Sequence, residues 1–380
     1  MTPHSSKPSK KSSKYDSIHS IELARPERHE RFFDVIDDSL RSYPKKKLAT
    51  LPGGFRPPAQ PAHFITGTFV SLSSPEQIAL WTNPKWTASE FRAMRSAGFD
   101  TLFVWPGFGT TCCYPFRKFG FSATAGDPAA ALLESAGKAG FRVYLSLPSL
   151  MHDWMVADPD ELDAVVRRSA SIAESMIGRY GDHAHLEGWY VPYELCDGFI
   201  LESRDPALLP GFLGRLSSAF RRLDPLRPVA QAPYFRTRQD LSSFARFWKR
   251  VLETAGMDIL VMQDTVGKFK EDRIAETPAY YSILQEVCLR LGVRFWTDLE
   301  VYDLLHGVPL DYKSWAAKPA AAQRVFRQVA TQSPYVEKII CWQFQTFMSP
   351  NAVDPAARRL YRDYSRWIAT QRLARNHPRK

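Results

Sequence analysis

The chain is poor in the features that mark several common protein classes. Of 380 residues only five are cysteine: Cys112, Cys113, Cys196, Cys288 and Cys341. None forms a C-x-x-C pair, the count is odd and two are adjacent. That argues against a disulfide framework or a structural zinc site and suits a reducing compartment. No run approaches the roughly 18 consecutive apolar residues of a membrane helix. The N-terminus, MTPHSSKPSKKSSKYDS, lacks the apolar core of a secretory signal, so the sequence reads as cytoplasmic, with export reopened if the start codon is misassigned. No RNA-binding signature or zinc-finger spacing occurs.

What is present begins with charge. Lys and Arg number 50 against 40 Asp and Glu, a formal net charge of +10. A basic balance favours anionic partners: nucleic acid, a membrane surface or an acidic polysaccharide. Part of it sits in Lys10, Lys11, Lys14 and Lys45 to Lys47, within a Ser- and Lys-rich stretch closed by LPGGFRPPAQPA. Residues 1–60 therefore read as a flexible basic extension and linker, a solvated arm rather than a specific nucleic-acid surface. Residues 61–372 read as the folded domain and 373–380 as a short basic tail. A composition 44% hydrophobic and 13% aromatic is enough to fill a large core.

From His63 onward strand and helix patterns alternate. Strand candidates are 63–70 (HFITGTFV), 99–107 (FDTLFVWPG), 142–149 (RVYLSLPS) and 186–195 (LEGWYVPYEL). They continue with 228–235 (PVAQAPYF), 258–267 (DILVMQDTVG), 294–302 (RFWTDLEVY) and 338–347 (KIICWQFQTF). Their starts lie 30 to 44 residues apart, room for one strand, one helix and two loops. Helix signals fill the gaps: a capping box at Thr87–Glu90, Asp127-Pro128 and Asp158-Pro159 starts, and Gly98, Gly140 and Gly292 stops. Eight such repeats predict a (β/α)8 barrel. The doubly wound alternative needs a Gly-rich phosphate turn after the first strand, and SLSSPEQIALWTNPKWT is not one.

In such a barrel chemistry sits at the C-terminal strand ends. The second strand ends in Trp105, and the third leads to His152, Asp153 and Trp154. The fourth ends in Tyr193 and Glu194, the fifth in Tyr234, the sixth in Gln263 and Asp264. The seventh ends in Asp298 and Glu300, and the eighth carries Trp342, Gln343 and Gln345. Aromatic faces stack on sugar rings, while carboxylates and amides bind ring hydroxyls. Two strand-end glutamates are the equipment of glycoside hydrolysis: one attacks the anomeric carbon, the other protonates the leaving oxygen and then activates water. Neither a cofactor nor a metal is called for. The +10 charge slightly favours an anionic polysaccharide over a neutral one. His183 and His185, before the fourth strand, read as bottom-face residues rather than ligands.

Glutamates after strands four and seven resemble the arrangement of the large clan of retaining glycosidases on TIM barrels. The resemblance implies that Glu194 is the acid/base and Glu300 the nucleophile, with Trp342 matching a frequent strand-eight tryptophan. The clan usually has Asn before its acid/base, where this chain has Tyr193. The segments GWYVPYEL, QAPYF, VMQDTVG and FWTDLEVY are similar to the strand-end motifs of a bacterial family of glycoside-hydrolase-like barrels of unknown function, over about residues 63 to 350. Two other readings stay open: a non-catalytic carbohydrate-binding barrel, and an adaptor working through its basic arm.

Overall fold

The computed structural model describes residues 61–106, 113–121, 126–151, 153–236, 239–269, 272–306 and 316–376. The expected basic extension and the last residues of the expected tail lie outside the described residues. Seven parallel strands come first: β1 (Ile65–Ser71), β2 (Thr101–Trp105), β3 (Arg142–Ser146), β4 (Leu186–Val191), β5 (Val229–Gln231), β6 (Ile259–Gln263) and β7 (Arg294–Leu299). An antiparallel hairpin of β8 (Tyr302–His306) and β9 (Ala316–Pro319) follows. Then β10 (Lys338–Cys341) pairs with both β7 and β1, closing an eight-stranded parallel barrel. The fold is a (β/α)8 barrel. The hairpin is an addition that the strand-and-helix alternation did not anticipate.

Parallel strands covered on both faces have no polar side to show water, so they read as apolar runs such as TLFVW and ILVMQ. Their inward residues form a separate interior cluster that includes Phe69, Phe103, Tyr144, Tyr190, Val261, Trp296 and Ile340. Phe103 and Tyr144 stack at 4.5 Å between centroids. Gly188 makes room for this packing, since a Cβ there would lie 2.5 Å from Tyr144 Cε1. The outward faces pack on the helices, as where Trp189 stacks on Phe220 at 5.2 Å. Each such large side chain contributes about 1.5–3 kcal/mol by leaving water.

The helices are α1 (Pro75–Thr82), α2 (Pro84–Ser96), α3 (Pro128–Lys138), α4 (Pro159–Tyr180), α5 (Asp197–Leu201) and α6 (Leu208–Leu223). They continue with α7 (Leu241–Ala255), α8 (Val266–Phe269), α9 (Asp272–Leu291), α10 (Ala322–Gln332), α11 (Phe344–Phe347) and α12 (Pro355–Asn376). Asp127 and Asp158 cap α3 and α4 as expected, the latter in a full capping box with Glu161. The Thr87–Glu90 box is not formed. Asn83 caps α2 instead, accepting from Lys85 N and Trp86 N, because Pro84 fixes the first helical turn earlier. Thr87 lies inside the helix, and buried Glu90 accepts hydrogen bonds from Ser349 and Asn351.

Two strands are shorter than their apolar runs. β6 stops at Gln263 and β10 at Cys341, and short helices α8 and α11 take up the remaining residues. Between strand and helix the backbone turns through left-handed residues, Thr265 at φ 54° and Gln343 at φ 50°. A β-branched residue rarely adopts that conformation. Both turns follow strands adjacent to β7, so the strain flanks the end of the strand that carries Glu300.

Candidate active site

Side chains alternate in and out along each strand. On β7 and just beyond it, Trp296, Asp298 and Glu300 share the inward parity; on β4 and just beyond it, Tyr190 and Glu194 share it, with Trp296 and Tyr190 in the interior cluster. The two strand-end glutamates thus rise from the same wall pattern on strands separated by β5 and β6. Glu300 is 2% exposed. Its Oε2 accepts from the backbone N–H of Lys268 at 2.9 Å, and its Oε1 lies 3.3 Å from Lys268 Nζ. The Tyr302 hydroxyl also lies against it. Lys268 Nζ in turn donates to Gln263 Oε1 at 2.9 Å and sits 4.9 Å above the Tyr234 ring.

This lysine comes from α8, the single turn that follows the strained Thr265. Gly267 lets that turn approach: a Cβ would fall 2.2 Å from Tyr302 O and 3.0 Å from Glu300 Oε2. Burial opposes the ammonium of Lys268, but the charges of Glu300 and Glu194 outweigh it and hold the group above the ordinary lysine value. A buried carboxylate without a partner would be costly, and Lys268 offsets that cost.

Glu194 is electrostatically different. Burial raises it above the usual carboxylate range; Lys268 and Gln263 oppose the rise, and the charge of Glu300 adds to it. Asp298 is raised well above its ordinary value by burial first, then by Glu300, Asp264 and Glu194. Its Oδ1 has no hydrogen-bond partner, and neither has the hydroxyl of Tyr190, whose nearest charges are Glu194 and Asp298. Farther round the mouth, both amide atoms of Gln345 are also buried and unpartnered.

The other expected residues divide into three groups. Tyr234 and Gln263 stand beside the glutamates through Lys268. Trp342 and Trp105 approach one another at 5.8 Å, and Trp342 also meets Phe69 at 5.3 Å, so both tryptophans close the top of the interior cluster. Gln343 turns back on its own helix, accepting from Thr346 Oγ1.

Three expected contacts are not at the mouth. Tyr193 has the outward parity, and its ring packs with Trp154 and Phe212 in the layer between strands and helices. Both are therefore core residues rather than sugar platforms, and the Tyr193 hydroxyl accepts from Leu150 N. Asp264 also points away from the barrel axis. Its carboxylate accepts from Gln328 and Gln332 of α10 and from the backbone N–H groups of Val266 and Glu300. It buttresses the loop that carries Glu300. Burial and then the Glu300 charge push it up to about 6, against the pull of Gln332 and Gln328. His152 lies outside the described residues.

Among the described residues no group of three or more His, Cys, Asp or Glu is arranged to hold a metal ion. His183 lies 3.8 Å from Glu134, and the His185 ring packs against Gly137. A groove of about 500 Å³ lined by Val166, Gly211, Arg215 and Arg222 runs over the outer helices and contains none of the strand-end carboxyls. No described helix is long and apolar enough to cross a membrane.

With this arrangement in view, the sequence matches the family model described as "Domain of unknown function (DUF4434)" over residues 65–354. The chain belongs to the DUF4434 family. No curated protein sequence matches it. Among solved structures it is similar to a Bacteroides thetaiotaomicron protein provisionally described as an alpha-L-fucosidase. The TM-score is 0.67 at 20% identity, covering 86% of this chain and 99% of that one. It is also similar to the beta-galactosidases of Marinomonas ef1 (TM-score 0.51, 12% identity, 82% of this chain and 60% of that) and Rahnella sp. R3 (0.51, 13%, 87% and 58%). The chain thus spans somewhat over half of each beta-galactosidase. At these identities the likeness establishes the fold: a TIM barrel of the kind glycoside hydrolases use.

Lys268, Tyr190, Tyr302 and the Gln328/Gln332 pair were missed by reasoning from strand ends alone. Tyr190 was findable, because it keeps the inward parity of Glu194; Tyr302 opens the hairpin and packs on Phe347, a contact the strand pattern does not show. Nothing local marks Lys268, which reaches Glu300 from another strand's loop.

Proposed function

We propose that this barrel is a retaining glycoside hydrolase in which Glu300 is the nucleophile and Glu194 the acid/base. The observation that carries the reading is the different setting of the two carboxyls. Glu300 lies in contact with the Lys268 ammonium, an orienting counter-charge for an attacking group. Glu194 is raised by burial, which keeps a proton available to donate. Oε2 of Glu300 takes the Lys268 backbone N–H and Oε1 faces the Lys268 ammonium at 3.3 Å, so the carboxyl is fixed in place at the strand end.

In the first step the Glu300 oxygen bonds to the anomeric carbon as the glycosidic C–O bond breaks, and the Glu194 proton passes to the leaving oxygen. In the second, Glu194 takes a proton from water, whose oxygen displaces Glu300 and frees the sugar with its configuration retained. The test is hydrolysis of a glycan panel by the purified chain, with the product anomer followed by NMR. Glu300→Gln and Glu194→Gln should each lower turnover by several orders of magnitude on unactivated substrates. Full activity in either variant removes that residue from its role.

A second reading, a carbohydrate-binding barrel without turnover, draws support from the near-complete burial of Glu300 under Lys268. Saturable sugar binding with no product from any bound ligand would favour it.

A further inference from the structure

The chain as a whole is basic, yet the described residues of its mouth are rich in carboxyl groups. Around the strand ends three carboxyl groups, Glu194, Asp298 and Glu300, face inward. The described cation among them, Lys268, is already engaged by Glu300 and Gln263. Neighbouring arginines are committed elsewhere, Arg236 to Glu202 at 3.2 Å and Arg324 to Asp303 at 3.0 Å. On the same inward faces, below the glutamates along β4 and β7, two buried residues carry polar atoms without partners: the hydroxyl of Tyr190 (residue 1% exposed) and Oδ1 of Asp298 (residue 3% exposed).

A buried carboxyl oxygen of this kind calls for a donor from outside the chain. A sugar hydroxyl is such a donor. The carboxylate of a uronic acid or a sulfate ester is not, and among the described residues it would find no uncommitted cation to pair with in a site of low dielectric. We propose that the sugar held between Glu194 and Glu300 is uncharged, with a ring hydroxyl directed at Asp298 and Tyr190. This rests on the glycosidase reading for its site but not on turnover. It reverses the preference for anionic glycans that the net charge alone favours.

The experiment measures binding of matched methyl glycosides to the full chain by ligand-observed NMR: glucose against glucuronic acid, galactose against galacturonic acid, mannose against mannuronic acid. It is run at pH 7 in about 0.15 M salt, where the Debye length of about 8 Å screens attraction by distant basic residues. The neutral member of at least one pair should bind tenfold or more tightly than its acid. Tyr190→Phe, which removes only an unpartnered hydroxyl, should keep the fold and weaken neutral binding severalfold. Asp298→Asn should narrow the gap between the members of a pair. Equal or tighter binding of the acidic members, binding by none of the neutral ones, or neutral binding unchanged in both variants overturns the proposal. Neutral binding without any hydrolysis leaves it standing and removes the glycosidase reading instead.

Discussion

Replacing Lys268 with methionine should be the most informative single perturbation of the barrel. The substitution keeps the aliphatic stem and removes the ammonium from between Glu300 Oε1 at 3.3 Å and Gln263 Oε1 at 2.9 Å. It leaves the Lys268 backbone N–H, and therefore the 2.9 Å bond to Glu300 Oε2, in place. Removing one partner of a buried ion pair costs about 3–5 kcal/mol, because the other charge is stranded. With one of the two Lys268 supports of Glu300 retained, the lower end applies, about 3 kcal/mol. At about 2.1 cal/mol/K of unfolding entropy per residue over roughly 310 residues, each 1 kcal/mol moves Tm by about 1.5 °C, so the expected drop is on the order of 5 °C.

The second arm is the double variant Lys268→Met with Glu300→Gln, in which no charge is stranded. It should recover most of the loss and lie within about 1 kcal/mol of the parent, the signature of a coupled pair in a double-mutant cycle. Urea denaturation of the four proteins at pH 7 measures both terms. A single variant as stable as the parent, or a double variant no better than the single one, refutes the account of Lys268 as the counter-charge of Glu300.

Two further outcomes test the same loop. Gly267→Ala should destabilise by about 1–3 kcal/mol, the usual cost of overpacking, since its Cβ would fall 2.2 Å from Tyr302 O; a melting temperature equal to the parent's would show that α8 shifts freely. Asp264 is pushed from 3.8 to about 6 in the folded state, so between those values the folded protein holds the proton more tightly than the unfolded chain. Its contribution therefore falls as pH rises from about 4 to 6, by about 3 kcal/mol at 1.36 kcal/mol per pH unit. Asp264→Asn should remove that part of the slope in pH-dependent unfolding, and identical slopes in parent and variant would contradict it.

The strand order, the barrel and the position of glutamates at two strand ends were legible along the chain. Buried parallel strands write themselves as apolar runs at a regular spacing, and a carboxylate closing such a run stands out. Other features depend on which way a strand faces. Tyr193 and Glu194 are adjacent, yet one packs on Phe212 in the helical layer and the other has the inward parity. Asp264 and Gln263 divide in the same way: the aspartate is held by Gln328 and Gln332 behind the sheet, the glutamine by Lys268 within it. A shift of one residue exchanges the two faces, and only closure of the barrel sets that phase. The pairing of Lys268 with Glu300 joins residues 32 positions apart through a turn that the strained Thr265 and the bare Gly267 make possible. The sequence by itself determined that carboxyl groups would gather at one end of a barrel. Tertiary structure alone decided which of them is neutralised by a lysine, which is raised by burial and which lies behind the wall, because burial and counter-charge belong to neighbours in space rather than along the chain.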